Sequence, residues 1–176
     1  NSTFSEEICS GPFTYTITTG NSQPNTVYSW SRATVPGIQA AGTNGNTATI
    51  NESLINNTSD PIEVIYELNA IVNGCQDTQE LSVTVNPSVE VSSDTNIETC
   101  SNESFVFAFT SNTPATTFEW RVISGFSGLV NASSYTETGT TQIEETFEHN
   151  FDYPVDITYA VTPIVEGCAG GTQNLT

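Results

Sequence analysis

No lysine and no methionine occur in this 176-residue chain, and Arg32 and Arg121 are its only cations against 20 acidic residues. The formal charge of −18 repels phosphate, which excludes nucleic acid as a partner and disfavours anionic membrane surfaces. No apolar run approaches the roughly 20 residues a membrane-spanning helix needs, so direct membrane insertion is not expected. One histidine, His149, is present. Without a second base, a Gly-x-Ser-x-Gly elbow or a Gly-rich phosphate loop, no nucleophilic triad or nucleotide site can be assembled from recognisable parts. No CxxC or Cys–His spacing suits zinc. Nor does any stretch of ten residues carry the apolar stripe of a helix.

What is abundant is Thr, Ser and Asn, together with aromatic and β-branched residues in alternation. In Ile62, Val64, Tyr66, Leu68 and Ala70 every second residue is apolar, with Glu63, Glu67 and Asn69 between them. That is the period of a half-buried strand. Strands are likewise expected at 13–17, 27–31, 47–51, 79–85, 105–109, 118–122, 142–147 and 155–165. Asn44-Gly45, Asn73-Gly74, Ser124-Gly125 and Ser127-Gly128 read as turns. High net charge can signal disorder, but this regular alternation argues for a packed all-β chain.

The chain also repeats itself. Residues 61–75, PIEVIYELNAIVNGC, align without a gap on residues 154–168, PVDITYAVTPIVEGC. Cys9-Ser10 matches Cys100-Ser101, and Tyr28-Ser29-Trp30 matches Phe118-Glu119-Trp120. A period near 90 residues indicates tandem modules, here residues 1–87 and 88–176, joined at Asn86-Pro87-Ser88. About seven strands per module with Gly and Asn turns predict two immunoglobulin-like β-sandwiches. By the same alignment, module one lacks the counterpart of Val89–Val91 and module two that of Val83–Val85. Phe4–Ile8 and Gln173–Thr176 are therefore expected to lie against a neighbouring stretch of chain or another subunit, completing each sheet.

Four cysteines, two per repeat at matching positions, read as one disulfide per module in an oxidising compartment. Cys9–Cys75 and Cys100–Cys168 are the preferred pairs. Each would close a loop worth roughly 4 kcal/mol of unfolded-state entropy. In a plain sandwich, however, those partners could fall at opposite ends, and Cys9–Cys168 is the alternative.

Other candidate chemistry is sparse. Glu144, Glu145, Glu148 and Asp152 could supply the two carboxylates of a glycosidase, though an acidic strand-and-loop segment is ordinarily solvated charge. For calcium, Asp60, Asp77, Glu144 and Asp152 are the foremost candidates, with Glu63, Glu80, Glu145 and Asp156 nearby in sequence, but no EF-hand or Gly-Asp array organises them. Trp30 and Trp120, equivalent in the repeat, read as core residues before they read as sugar-stacking platforms. Tyr66 and Tyr159 read as core residues too. No cofactor is expected.

The run Ile8-Cys9-Ser10-Gly11, Tyr28-Ser29-Trp30, residues 50–58 (INESLINNT), Val72-Asn73-Gly74-Cys75 and residues 81–87 (LSVTVNP) resembles the PKD-like repeats of very large surface proteins of Bacteroidota, including the gliding-motility adhesins. Module two departs from the pattern at Asn102 and over residues 145–150, where the internal repeat carries the likeness. The resemblance implies an immunoglobulin-like sandwich, export by the type IX route, display at the bacterial cell surface and a role as spacer or adhesive stalk. It brings no catalytic residue. The expected function is a non-enzymatic segment of a long extracellular adhesin or filament, with neighbouring repeats, identical subunits or surface glycans as partners. The alternatives are a carbohydrate- or calcium-binding module of a secreted enzyme and a pilin-like subunit polymerising by strand exchange.

Overall fold

A computed structural model describes residues 3–19, 25–125, 129 and 136–176. The turn expected at Ser127-Gly128 lies outside them. Among the described residues there are fourteen strands and no helix, and the chain divides into two compact units, Asn1–Ser88 and Val89–Thr176. The protein is all-β, two tandem immunoglobulin-like sandwiches.

Unit 1 holds β1 (Thr3–Cys9), β2 (Gly11–Thr16), β3 (Val27–Arg32), β4 (Thr43–Gly45), β5 (Thr49–Leu54), β6 (Ile62–Val72) and β7 (Cys75–Asn86). One sheet runs β1-β7-β6-β3-β4, and β2 pairs β5 in the other. The alternation of β6 is realised, with Val64, Tyr66, Leu68 and Ala70 buried and Glu63 and Glu67 exposed. Their inward faces meet Leu81, Val83 and Val85 of β7, Trp30 of β3, and Phe13, Ile50 and Leu54 of the facing pair in one core. Asn73 and Gly74 both take positive φ, 49° and 84°, the tight hairpin turn that Asn-Gly favours.

Two expectations for this unit change. Asn44-Gly45 is not a turn but part of β4, where Gly45 pairs with Trp30 and leaves room for the indole: a Cβ there would sit 2.7 Å from the ring. At the join β7 ends at Asn86, and Pro87 is buried and bridges Asn56 while Ser88 N–H donates to Asn56 O. Phe4–Ile8 finds its partner in its own unit, pairing parallel with β7 from Phe4↔Leu81 to Ile8↔Val85.

Unit 2 holds β8 (Ser104–Ala108), β9 (Thr117–Ser124), β10 (Thr136–Thr140), β11 (Gln142–Thr146), β12 (Thr158–Val165), β13 (Cys168–Ala169) and β14 (Gln173–Leu175). Its sheets are β10-β9-β12-β13 with β14 also on β12, and β11-β8. Phe109, Phe118, Trp120, Val122, Ile143, Phe147, Tyr159, Val161 and Leu175 form the core. Gln173–Thr176 also pairs internally: Tyr159↔Leu175 repeats the register Tyr66↔Leu81. Thr176 N–H donates to Thr95 O and Ile97 N–H to Thr176 O, the parallel pattern that sets Ser5 beside Ser82 in unit 1. Both terminal segments thus complete sheets of their own units. One strand comes out shorter than expected, β12 starting at Thr158 rather than Val155.

Candidate functional site

Alternation along β3 turns Trp30 and Arg32 inward together, and Arg32 is buried with Glu52 of β5. Its Nε donates to Glu52 Oε2 at 3.1 Å and its Nη2 to Oε1 at 2.8 Å, the bidentate fork that suits a carboxylate. Nη1 and Nη2 also reach the carbonyls of Ala33 and Ala41, and Tyr66 Oη donates to Glu52 Oε2 at 2.6 Å. Burial pushes the Glu52 carboxyl up, but the hydrogen bonds from Arg32 and Tyr66 and the guanidinium charge hold it below its usual range. Burial and the Glu52 acceptor raise the Tyr66 hydroxyl far above the ordinary phenol. Sequence reasoning placed Tyr66 in the core and missed this triad, although Arg32 two residues after a core Trp was the available signal.

Unit 2 keeps two of the three members. Val122 lies opposite Tyr159 as Arg32 lies opposite Tyr66, and Arg121 faces out. Glu145, opposite Phe105 as Glu52 is opposite Phe13, therefore has no cation. Glu145 Oε1 and Tyr159 Oη are buried with no hydrogen-bond partner among the described residues. Burial alone pushes the Glu145 carboxyl up to about 7.

The largest difference between the units lies at the end of β12. A cleft of about 340 Å³ opens there, walled on one side by Ile97–Ser101 and on the other by Pro154–Ile157, over a floor that includes Phe105, Phe147, Tyr159 and Leu175. Residues 98–100 and 154–157 belong to no strand. In unit 1 the corresponding Glu7–Cys9 and Ile62–Val64 both pair with the second half of β7, and Val83 and Val85 are fully buried between them. Polar anchors hold that half-strand: Ser10 Oγ donates to Asn86 O at 2.7 Å, and fully buried Asn56 donates from Nδ2 to Val85 O at 2.9 Å. In unit 2 the equivalents of these anchors are Ser101 and His149. Ser101 Oγ accepts from His149 N–H at 3.1 Å, as Ser10 Oγ accepts from Asn56 N–H in unit 1, and donates to His149 O at 3.4 Å, while His149 Nδ1 accepts from Phe151 N–H.

The remaining sequence candidates do not converge. No group of three or more His, Cys, Asp or Glu side chains suited to a metal occurs among the described residues. Asp60 sits in the turn before β6, where its carbonyl accepts from Asn56 and Thr58, and Asp77 is on β7 beside Gln79. Glu144 projects from β11 and Asp152 is exposed in the loop before β12. Trp30 and Trp120 are 8% and 3% exposed, so neither ring face is open to a sugar. Among the described residues the exposed rings are Phe4, Phe151 and Tyr153, the last two stacked with centroids 5.0 Å apart.

The cysteines correct the preferred pairing. Cys9 and Cys168 are disulfide-bonded, whereas Cys75 and Cys100 are exposed free thiols, so neither Cys9–Cys75 nor Cys100–Cys168 forms. Register explains why. Cys9 lies opposite Asn86 at one end of β7 and Cys75 opens the other end, on the order of 35 Å away at about 3.3 Å per residue. A disulfide needs Cα atoms within about 7 Å. Likewise Cys100 lines the cleft before β12, and Cys168 follows its far end.

Residues 5–89 match the PKD-like domain family. The PKD-like match covers unit 1 almost whole, the unit with the complete β7 and the full triad. No curated protein matches the chain. Among solved structures, the N-terminal four immunoglobulin domains of Dscam1 isoform 6.9 are similar at 12% identity, TM-score 0.34, over 97% of this chain and 42% of that one. Murine CEACAM1b is similar at 8% identity and TM-score 0.30, over 99% of this chain and 94% of that one. The chain thus spans less than half the length of the Dscam1 structure. No helix among the described residues is long and apolar enough to cross a membrane.

Proposed function

We propose that this PKD-like pair is a structural segment of a long extracellular adhesin or surface filament, a spacer that adds length and presents a repeated acidic surface, without catalysis. The observation that supports this reading is which residues repeat. The matched positions are packing positions, Trp30 with Trp120, Tyr66 with Tyr159, Phe13 with Phe105, and they recur in the same register in both sandwiches. Residues with chemistry to offer, His149 and the acidic candidates, do not recur as a constellation. An array under selection for length retains packing and varies the rest. The carboxylates near neutrality favour solubility over adhesion to anionic surfaces. Type IX export and surface display belong to the same proposal. Antibodies raised against residues 1–176 should label intact, unpermeabilised cells of the source bacterium, and the labelled polypeptide should be far longer than 176 residues. Label confined to lysed cells, or a soluble enzyme carrying the epitope, would overturn the reading.

A second reading has one observation in its favour. The stacked, exposed Phe151 and Tyr153 offer an aromatic face of the kind sugars bind. Surface-glycan adhesion would run through them rather than through the tryptophans. Binding on a glycan array that disappears in Tyr153→Ala and survives Trp120→Phe would establish it.

A further inference from the structure

We propose that copies of this chain join through disulfides, Cys75 of one copy bonded to Cys100 of a second copy. The inference stands apart from the spacer reading, because it concerns what two chains do to each other wherever the protein is displayed.

Each repeat carries its two cysteines at opposite ends. In unit 1, Cys9 stands opposite Asn86, the last residue of β7, and Cys75 is the first residue of the same strand. In unit 2, Cys100 lies beside residues 154–157, ahead of β12, and Cys168 follows the far end of that strand. Neither repeat can therefore close its own pair, since a disulfide needs Cα atoms within about 7 Å. A cysteine of this repeat can bond only a cysteine of another repeat. The bonded pair obeys that rule: it takes the first cysteine of one repeat, Cys9, and the second cysteine of the other, Cys168. Left over are one second cysteine, Cys75, and one first cysteine, Cys100. They are the same two kinds of end, and both are exposed thiols.

The two thiols keep the local geometry of their bonded counterparts. Cys75 follows the turn Asn73-Gly74, φ 49° and 84°, and pairs with Val72. Cys168 follows Glu166-Gly167, φ 48° and 75°, and pairs with Val165. At the other kind of end, Cys9 and Cys100 each precede a serine whose hydroxyl accepts a main-chain N–H, that of Asn56 for Ser10 and of His149 for Ser101. Cys9 is exposed although it is bonded and β7 is complete beside it, so exposure at Cys100 belongs to the position. A second copy is the partner because it presents, to each thiol, a cysteine of the complementary kind in the geometry that bonds in Cys9 and Cys168. The two ends differ, so the joint is heterologous and can be repeated from copy to copy. Chains of charge −18 repel one another, and a covalent bond holds them where an uncharged patch is not needed.

The bond needs an oxidant, here a small disulfide such as oxidised glutathione. The Cys100 thiolate attacks one glutathione sulfur and releases the other half as a thiol. The Cys75 thiolate of a second copy then attacks the Cys100 sulfur and releases the remaining glutathione. Two protein thiols become one disulfide while one glutathione disulfide becomes two thiols. The test mixes Cys75→Ser, labelled with heavy nitrogen, with unlabelled Cys100→Ser, each lacking one exposed thiol and keeping its core and its existing disulfide. With oxidised glutathione, the Cys100–Cys75 heterodimer should exceed either homodimer by at least roughly tenfold, where unselective coupling gives at most about twofold over the larger one. The unaltered chain should build a ladder of dimer, trimer and higher species that dithiothreitol collapses and prior alkylation with iodoacetamide prevents. A heterodimer at the unselective ratio, a Cys75–Cys100 bond closed within a single chain, or no coupling at all would overturn the proposal.

Discussion

Arg32 is a buried charge held by one carboxylate, and its energetics follow from that. Removing one partner of such a pair leaves the other ionised without compensation, while replacing both is far cheaper. Arg32→Met should destabilise unit 1 by about 3–5 kcal/mol in urea unfolding, and the double variant Arg32→Met/Glu52→Gln should recover most of that loss. Glu145 is the same site without the cation, and its pH dependence has the opposite sign to that of a salt-bridged acid. At pH below the ordinary 4.5, folded and unfolded chains are both protonated there. Between 4.5 and about 7 the folded form holds a proton that the unfolded form has released, so stability falls as pH rises. Above about 7 the destabilisation is complete, on the order of 2 kcal/mol after allowance for partial exposure. Glu145→Gln should therefore stabilise unit 2 at pH 8 and leave it nearly unchanged at pH 4, as read from paired urea titrations. The cysteines make a simpler prediction: iodoacetamide without reductant should add two carbamidomethyl groups to the native protein, mapped by peptide mass to Cys75 and Cys100.

Whole strands follow their side-chain pattern only where a partner exists to receive them. β6 appears with the boundaries and the buried set that its alternation predicts, because β7 pairs it along its whole length and β3 from Tyr66 to Ile71. Residues 154–157 carry the same alternation and make no strand, because the half-strand that pairs with Ile62–Val64 in unit 1 has no counterpart beside them. Pattern specifies which face a strand buries, and the ladder decides whether it is a strand. β4 illustrates the reverse. Asn44-Gly45 has the composition of a turn, yet Trp30 requires a residue without Cβ at that point of an adjacent strand. Gly45→Ala should cost about 1–3 kcal/mol by forcing the indole aside, seen as a lower urea midpoint for unit 1 with an unchanged slope.

At the scale of the whole chain, two units with similar strand pairing differ in completeness. Unit 1 has a closed core and a satisfied triad, whereas unit 2 has an open cleft, a Glu145 without a cation and a buried tyrosine hydroxyl without a partner among the described residues. Thermal unfolding at pH 8 should resolve into two transitions, the lower belonging to unit 2. Fluorescence assigns them: Trp120→Phe should leave only the upper transition visible and Trp30→Phe only the lower. The amino-acid sequence by itself determined the all-β class, the repeat, the core tryptophans and tyrosines and the long alternating strand, because these depend on period and composition, which are local. Tertiary structure alone decided the cysteine partners, the role of Arg32 and the in-unit pairing of Phe4–Ile8 and Gln173–Thr176. Each of those depends on which ends and faces of distant strands come together, and that is set by register across the sheets rather than by any pattern within a single segment.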